Sequence, residues 1–281
     1  MSEGEWMRSA LYVPGNRPEL FDKAVSGPAD VVLLDLEDAV PLRDKEGARA
    51  EVAAWLRAAT PSARRIWVRV NPGEHGLEDI RAVAAAGVEA VCLAKTESAQ
   101  QIREVGEVLA AVEPARRPIR LCPLLESAAA IYAAREIAAA PRVWHLMIGE
   151  ADLCAELGIE PGRDGYEMLA LRTRIVLASA AADIAAPLAP TSTDFRDLDD
   201  LRTSTEALRR LGFRGRTCIH PAQVPVVNEV FTPGPADLDA ARALVRRFEA
   251  AAGGVVLDDA GRMVDRAVVR RARALVDDAF E

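Results

Sequence analysis

Two acids and two cations, each placed where an apolar run ends, are the residues of this chain best suited to chemistry: Glu126, Asp152, Arg69 and Lys95. Other polar residues close similar runs. These are Asp35-Leu36-Glu37-Asp38, Arg69-Val70-Asn71, Gly149-Glu150-Ala151-Asp152 and His220-Pro221. Carboxylates, an Arg and a Lys gathered on one rim are costly unless paired or bound to a metal, so their convergence implies an enzyme. Glu126 and Asp152 suit a hard cation such as Mg²⁺, which takes one or two carboxylates and fills its octahedron with water and substrate oxygens. The competing use of such acids is at helix N-termini. With Arg69 and Lys95 nearby, metal binding is the preferred reading. Arg69 either pairs with Glu37 or Asp38, or offers its fork to a substrate carboxylate or a developing enolate; the two uses are compatible. Lys95 reads as an electrostatic partner in preference to a Schiff-base nucleophile. Among the histidines, His145 reads as core, His75 as solvated, and His220 as a residue that packs under the rim or shapes the pocket.

The elements that must present these residues are eight short apolar runs: 10–13, 31–36, 66–70, 90–94, 119–125, 143–148, 184–188 and 216–219. Amphipathic, Ala-rich segments separate them, at 45–58, 77–86, 99–111, 128–139, 168–182 and 198–211. Strands apolar on both faces that alternate with helices predict a parallel sheet covered by helices, and eight such units predict a closed (β/α)8 TIM barrel. The loops after its strands build the active site. The turn after the first run is Pro14-Gly15-Asn16-Arg17 and not GxGxxG, which argues against a dinucleotide fold. The barrel is expected over residues 1–221. Residues 222–281 form a C-terminal extension: helices at 222–231 and 236–252, a hairpin over 255–264 around Asp259-Ala260-Gly261, and a last helix at 266–280. This extension either caps the barrel or packs on a neighbouring subunit.

The 281 residues carry a formal net charge of −8, which argues against a nucleic-acid binder but allows an anionic small molecule held by local cations. No apolar run reaches membrane-spanning length, and the polar start MSEGEWMRSA lacks an apolar signal core. Cys92, Cys122, Cys154 and Cys218 form no CxxC pair and read as small buried hydrophobes in a reducing compartment. The expected location is the cytoplasm.

Six motifs then carry a resemblance. Arg8–Arg17 (RSALYVPGNR), LDLEDAV (Leu34–Val40), VRVN (Val68–Asn71), LLES (Leu124–Ser127), IGEADL (Ile148–Leu153) and CIHPAQV (Cys218–Val224), in this order, resemble the citrate lyase β-subunit-like family. That family stands with the malyl-CoA and citramalyl-CoA lyases in the HpcH/HpaI aldolase group. The resemblance implies a homotrimeric barrel, dependent on Mg²⁺ (or Mn²⁺), that cleaves a 3-hydroxyacyl-CoA into acetyl-CoA and a 2-oxo acid, or runs the condensation. It implies Glu126 and Asp152 as metal ligands, Arg69 facing the reacting oxygens, and Glu37 and Asp38 orienting Arg69 and metal-bound water. Arg17 and Lys23 would lie near the CoA phosphates, with Lys95 among the substrate-binding residues. Within Gly261-Arg262-Met263-Val264-Asp265, Asp265 would be the acid/base, often presented to a neighbouring subunit. Arg266-Ala267 stands where the family commonly has Pro and His, Ala94 precedes Lys95 where Pro is usual, and Ser127 follows Glu126 where Thr is usual. Asp38 stands where the related free-pyruvate aldolases carry His, which favours the thioester branch. The rival readings are a citrate lyase β subunit working on a carrier-protein thioester in a larger complex, a Schiff-base aldolase using Lys95, and a non-catalytic acyl-CoA or metabolite-binding barrel.

Overall fold

A computed structural model describes residues 7–58, 65–86, 88–113, 118–251, 256–257, 261 and 263–277. Residues Met7–Glu229 form one compact unit, and Val230–Glu281 belongs to a second.

In the first unit the expected (β/α)8 barrel is present. Its strands are β1 (Ser9–Pro14), β2 (Val31–Asp35), β3 (Arg65–Val70), β4 (Ala90–Leu93), β5 (Arg120–Leu125), β6 (Met147–Ile148), β7 (Leu188–Ala189) and β8 (Gly215–Cys218). They pair in parallel in chain order, and β8 closes onto β1. Every residue of β2 and β4 is buried, which is why those runs carry no polar alternation. Leu33, Trp67, Cys92, Cys122, Trp144 and Met147 fill the lumen, so the interior is a packed core and the chemistry is confined to its mouth.

The covering helices follow their caps. Helix α2 (Lys45–Ala58) and α3 (Gly73–Ala84) flank β3, and α4 (Ala99–Val112) opens on a Ser98/Gln101 capping box. Helix α9 (Leu198–Leu211) starts where the Asp197 side chain accepts the Asp200 N–H. The short helix α1 (Phe21–Val25) follows β1.

Several elements differ from the sequence expectation. The run 143–148 contributes only the two-residue strand β6 and an isolated bridge from Val143 to Leu121, and the run 184–188 contributes only Leu188, the first residue of β7. Arg142 and Asp183 adopt left-handed φ values of 69° and 54°, turning the chain just before each run, and Pro187 has no N–H to donate to a ladder. The expected helix at 128–139 is divided at Ala133 (φ −85°, ψ 4°) into α5 (Ala128–Tyr132) and α6 (Ala134–Ala138). An additional helix, α7 (Glu150–Leu157), follows β6, and α8 (Leu169–Ala181) follows it.

Helix α10 (Gln223–Phe231) carries the chain into the second unit. There α11 (Pro235–Ala250), the antiparallel pair β9 (Val256–Leu257) and β10 (Met263–Val264), and α12 (Arg266–Asp277) follow. Val264 and Val269 pack with Leu244, Val245, Phe248 and Ala251. Asp259 and Ala260 of the expected hairpin turn, together with Ala252, Val255, Arg262 and Phe280, lie outside the described residues. No helix among the described residues is long and apolar enough to cross a membrane.

Candidate active site

The barrel register sets Asp35, the last residue of β2, beside Arg69 of β3. Arg69 Nε donates to Asp35 Oδ1 at 2.7 Å and Nη2 to Oδ2 at 2.6 Å, a bidentate fork. Nη1 lies 3.0 Å from Glu37 Oε2 and 3.5 Å from Asp38 Oδ2. The guanidinium also lies 4.9 Å over the Tyr12 ring. Burial opposes its charge, but the hydrogen-bonded Asp35 and its acidic neighbours raise the Arg69 pKa and keep it cationic. The turn that brings Glu37 back is braced twice. Asp35 accepts the Glu37 and Ala39 N–H groups, and Lys45 Nζ donates to the carbonyls of Leu36 and Glu37. Burial, more than any neighbour, raises the Glu37 carboxyl above its ordinary range.

Asp35 and Tyr12 were not singled out from the sequence. The available signal for Asp35 was positional: it closes β2 two residues before Glu37, directly across from the strand that ends in Arg69-Val70-Asn71.

Across the mouth, Glu126 follows β5 and Asp152 lies in the first turn of α7. Lys95 follows β4 in the left-handed region, φ 51°, unusual for a residue with a side chain. That conformation aims its N–H at Glu126 Oε1, 2.6 Å away. On the other side, a Cβ added at Gly149 would stand 2.7 Å from both Glu126 Cβ and Oε2, so the absence of a side chain there gives Glu126 its place. The Glu126 carboxyl is pushed up to about 7, chiefly by burial and further by hydrogen bonding to Asp152, against the pull of the Lys95 N–H. Lys95 Nζ stands 3.3 Å from Asp152 Oδ2 and 3.4 Å from Glu37 Oε1. Although burial opposes it, the charges of Glu126, Glu37 and Asp152 raise the amine to about 12. An amine held protonated in this way is a poor Schiff-base nucleophile.

The donor set fits a hard divalent cation. Two carboxylates, one of them buried, line the same cavity, and such a pair is relieved by positive charge. Mg²⁺ is commonly held through only one or two carboxylates, with water and substrate oxygens completing its shell. The helix-capping alternative does not describe Glu126: the Ser127 side chain caps α5 by accepting the Ala130 N–H. Asp152 lies in the first turn of α7, but the N-cap residue is Gly149.

Both halves open on one cavity of about 460 Å³, lined by Tyr12, Asp35, Asp38, Arg69, Glu126 and Asp152 among others. Thus Glu37, Asp38, Arg69, Lys95, Glu126 and Asp152 gather at one mouth. Arg17 and Lys23 are exposed on the β1–α1 side, Arg17 paired with Glu19, and neither lines this cavity. Asp265 belongs to the second unit, where its Oδ1 accepts the Ala267 and Val268 N–H groups and caps α12. His145 is buried, with Nδ1 2.7 Å from the Ala186 carbonyl. His75 is exposed, and His220 stacks on Phe195 at 4.7 Å.

The family model for HpcH/HpaI aldolase/citrate lyase matches residues 8–221. The chain belongs to the HpcH/HpaI aldolase/citrate lyase family. Among its members, a citrate lyase subunit beta-like protein of Deinococcus radiodurans is 35% identical, the match covering 96% of each chain. A (3S)-malyl-CoA thioesterase of Cereibacter sphaeroides is also 35% identical, over 95% of this chain and 92% of that one. Among solved structures, the CitE protein of Mycobacterium tuberculosis in complex with magnesium, acetoacetate and coenzyme A superimposes with a TM-score of 0.77. It is 31% identical, with 98% of each chain covered. Membership places the chain among lyases and accounts for the barrel and for the order of the strand-end motifs.

Proposed function

We propose that this member of the family is a Mg²⁺-dependent carbon–carbon lyase that cleaves or forms a 3-hydroxyacyl-CoA such as malyl-CoA or citramalyl-CoA, with acetyl-CoA and a 2-oxo acid as the other side of the reaction. The observation that carries the reading is the Glu126–Asp152 pair facing the same cavity as Arg69. Glu126 and Asp152 would hold the ion, which when bound would supply Lewis-acid polarisation of the oxygen on C3. In cleavage the 3-hydroxyl gives its proton to water at the mouth, its oxygen becomes the carbonyl of the 2-oxo acid as the C2–C3 bond breaks, and the electron pair of that bond becomes the enolate of acetyl-CoA. Arg69, fixed by Asp35, offers N–H groups where that negative charge develops. Glu37 and Asp38 keep the Nη1 edge of Arg69 aimed, and Lys95 takes the carboxylate of the oxo acid. Asp265, acting in its own or a neighbouring subunit of a homotrimer, protonates the enolate carbon or deprotonates the methyl in the reverse sense. Arg17 and Lys23 serve the CoA phosphates. In this reading residues 1–221 are the catalytic barrel and 222–281 the extension that delivers the acid. The four unbridged thiols suit a reducing cytoplasm.

The test is a panel of malyl-, methylmalyl- and citramalyl-CoA assayed with and without Mg²⁺, following acetyl-CoA and free CoA separately. Metal-dependent release of acetyl-CoA plus oxo acid supports the lyase. Free CoA and hydroxy acid would instead indicate hydrolysis, the activity in the name of the Cereibacter relative. Turnover by the chain alone would argue against a citrate lyase β subunit that needs a larger complex.

A further inference from the structure

We propose that Lys95 is an internal counter-cation that competes with the divalent ion for Asp152 and thereby couples metal binding to oxo-acid binding. This rests on the reading of Glu126 and Asp152 as metal ligands and adds a thermodynamic role that the reading does not contain.

Lys95 is two devices in one residue. Its backbone is fixed: a left-handed φ of 51° and a 2.6 Å bond from its N–H to Glu126 Oε1 lock the peptide against a ligand. Its side chain is not locked in the same way. The ammonium lies at the end of a half-exposed four-carbon stem, 3.3 Å from Asp152 Oδ2 and 3.4 Å from Glu37 Oε1, so it neutralises the mouth while remaining able to move. Arg69 cannot play this part, because its fork is held by both oxygens of Asp35.

The consequence is a competition at one atom. A divalent ion that uses Asp152 meets an ammonium already on Oδ2, and the ammonium must leave against the attraction of Asp152 and Glu37. Metal binding alone is therefore weakened. A 2-oxo acid brings a carboxylate that can accept the displaced ammonium, so the oxo acid removes part of the penalty. By linkage, metal and oxo acid then strengthen each other reciprocally.

The experiment is titration calorimetry of Mg²⁺ into the full chain, with and without saturating pyruvate, for the native protein, Lys95→Met and Lys95→Arg. Lys95→Met is expected to bind Mg²⁺ alone on the order of tenfold more tightly and to lose most of the extra tightening that pyruvate gives the native chain. Lys95→Arg, which restores the charge, is expected to return both values towards native. A purely structural role would make every substitution bind metal more weakly. Lys95→Asn, whose short amide tolerates the left-handed backbone, covers the case in which Met does not fold. Unchanged or weaker Mg²⁺ binding in both uncharged variants, with the pyruvate effect intact, overturns the proposal while leaving the metal site standing. Absence of Mg²⁺ binding by the native chain overturns the metal site itself and this inference with it.

Discussion

Asp35 and Arg69 are register partners on adjacent strands and also a bidentate ion pair, so the pairing of β2 with β3 and the aim of the guanidinium are one arrangement. Asp35→Asn keeps the shape of the side chain and removes the charge. It leaves Arg69 buried with a weaker anchor, and breaking such a pair typically costs about 3 kcal/mol. The expected result is a lower urea midpoint, together with kcat/KM reduced roughly 100-fold as the fork loses its alignment. Denaturation and steady-state rates on the same preparation check both.

Gly149→Ala addresses the opposite wall. The new methyl would stand 2.7 Å from Glu126 Cβ and Oε2, so Glu126 must leave the position it holds beside the cavity. Magnesium affinity measured by calorimetry is expected to fall by about tenfold or more, since a misplaced ligand shell commonly has effects of that order. The circular dichroism of the barrel should persist.

Asp265→Asn separates the acid from the cap. Asn accepts helix N–H groups as well as Asp does, so α12 should remain formed and the thermal midpoint unchanged. Turnover is expected to fall by roughly 10²- to 10⁴-fold, the contribution of a positioned acid, while Mg²⁺ binding is preserved. Retained turnover would remove Asp265 from the mechanism.

His145 gives the stability of the fold an acid limit. Burial lowers its pKa to about 4, reinforced by Arg65 and Arg120 and opposed by its bond to Ala186, so the folded protein holds it neutral. The unfolded chain, with an ordinary value of about 6.5, takes up the proton first, and stability must fall as pH drops below 6.5. Between pH 7 and pH 5 the loss is about 2 kcal/mol, and it stops growing below about pH 4. His145→Phe should flatten that slope in urea titrations at the two pH values.

The architecture was legible because its strands are buried on both faces and its helices are amphipathic: β2, β4 and α9 coincide with their runs to within two residues. Where the pattern failed, an apolar run persisted without a ladder. Residues 143–146 and 184–187 are hydrophobic enough for strands, but left-handed turns at Arg142 and Asp183 and the imide of Pro187 leave only Val143, Met147 and Ile148 paired in the first run and only Leu188 in the second. Lys95, Glu126 and Asp152 were visible as polar endings of such runs. Asp35 was less visible because an acid within a strand reads as part of a sequence motif until the register gives it Arg69. The left-handed Lys95 left no trace, since a backbone angle held by a contact 31 positions away has no local signature.

The brevity of β6 and β7 has a mechanical side. With two residues each, they give this stretch of barrel wall fewer rungs than β1 to β4 provide on the far side. Wall segments with few rungs open first in native-state hydrogen exchange. Glu126 follows β5 and Asp152 follows β6, the strand where the thin stretch begins. An ion gripped by both would therefore work as a clasp across the junction of β5 with β6, next to the single-rung junction of β6 with β7 where the barrel is least sewn.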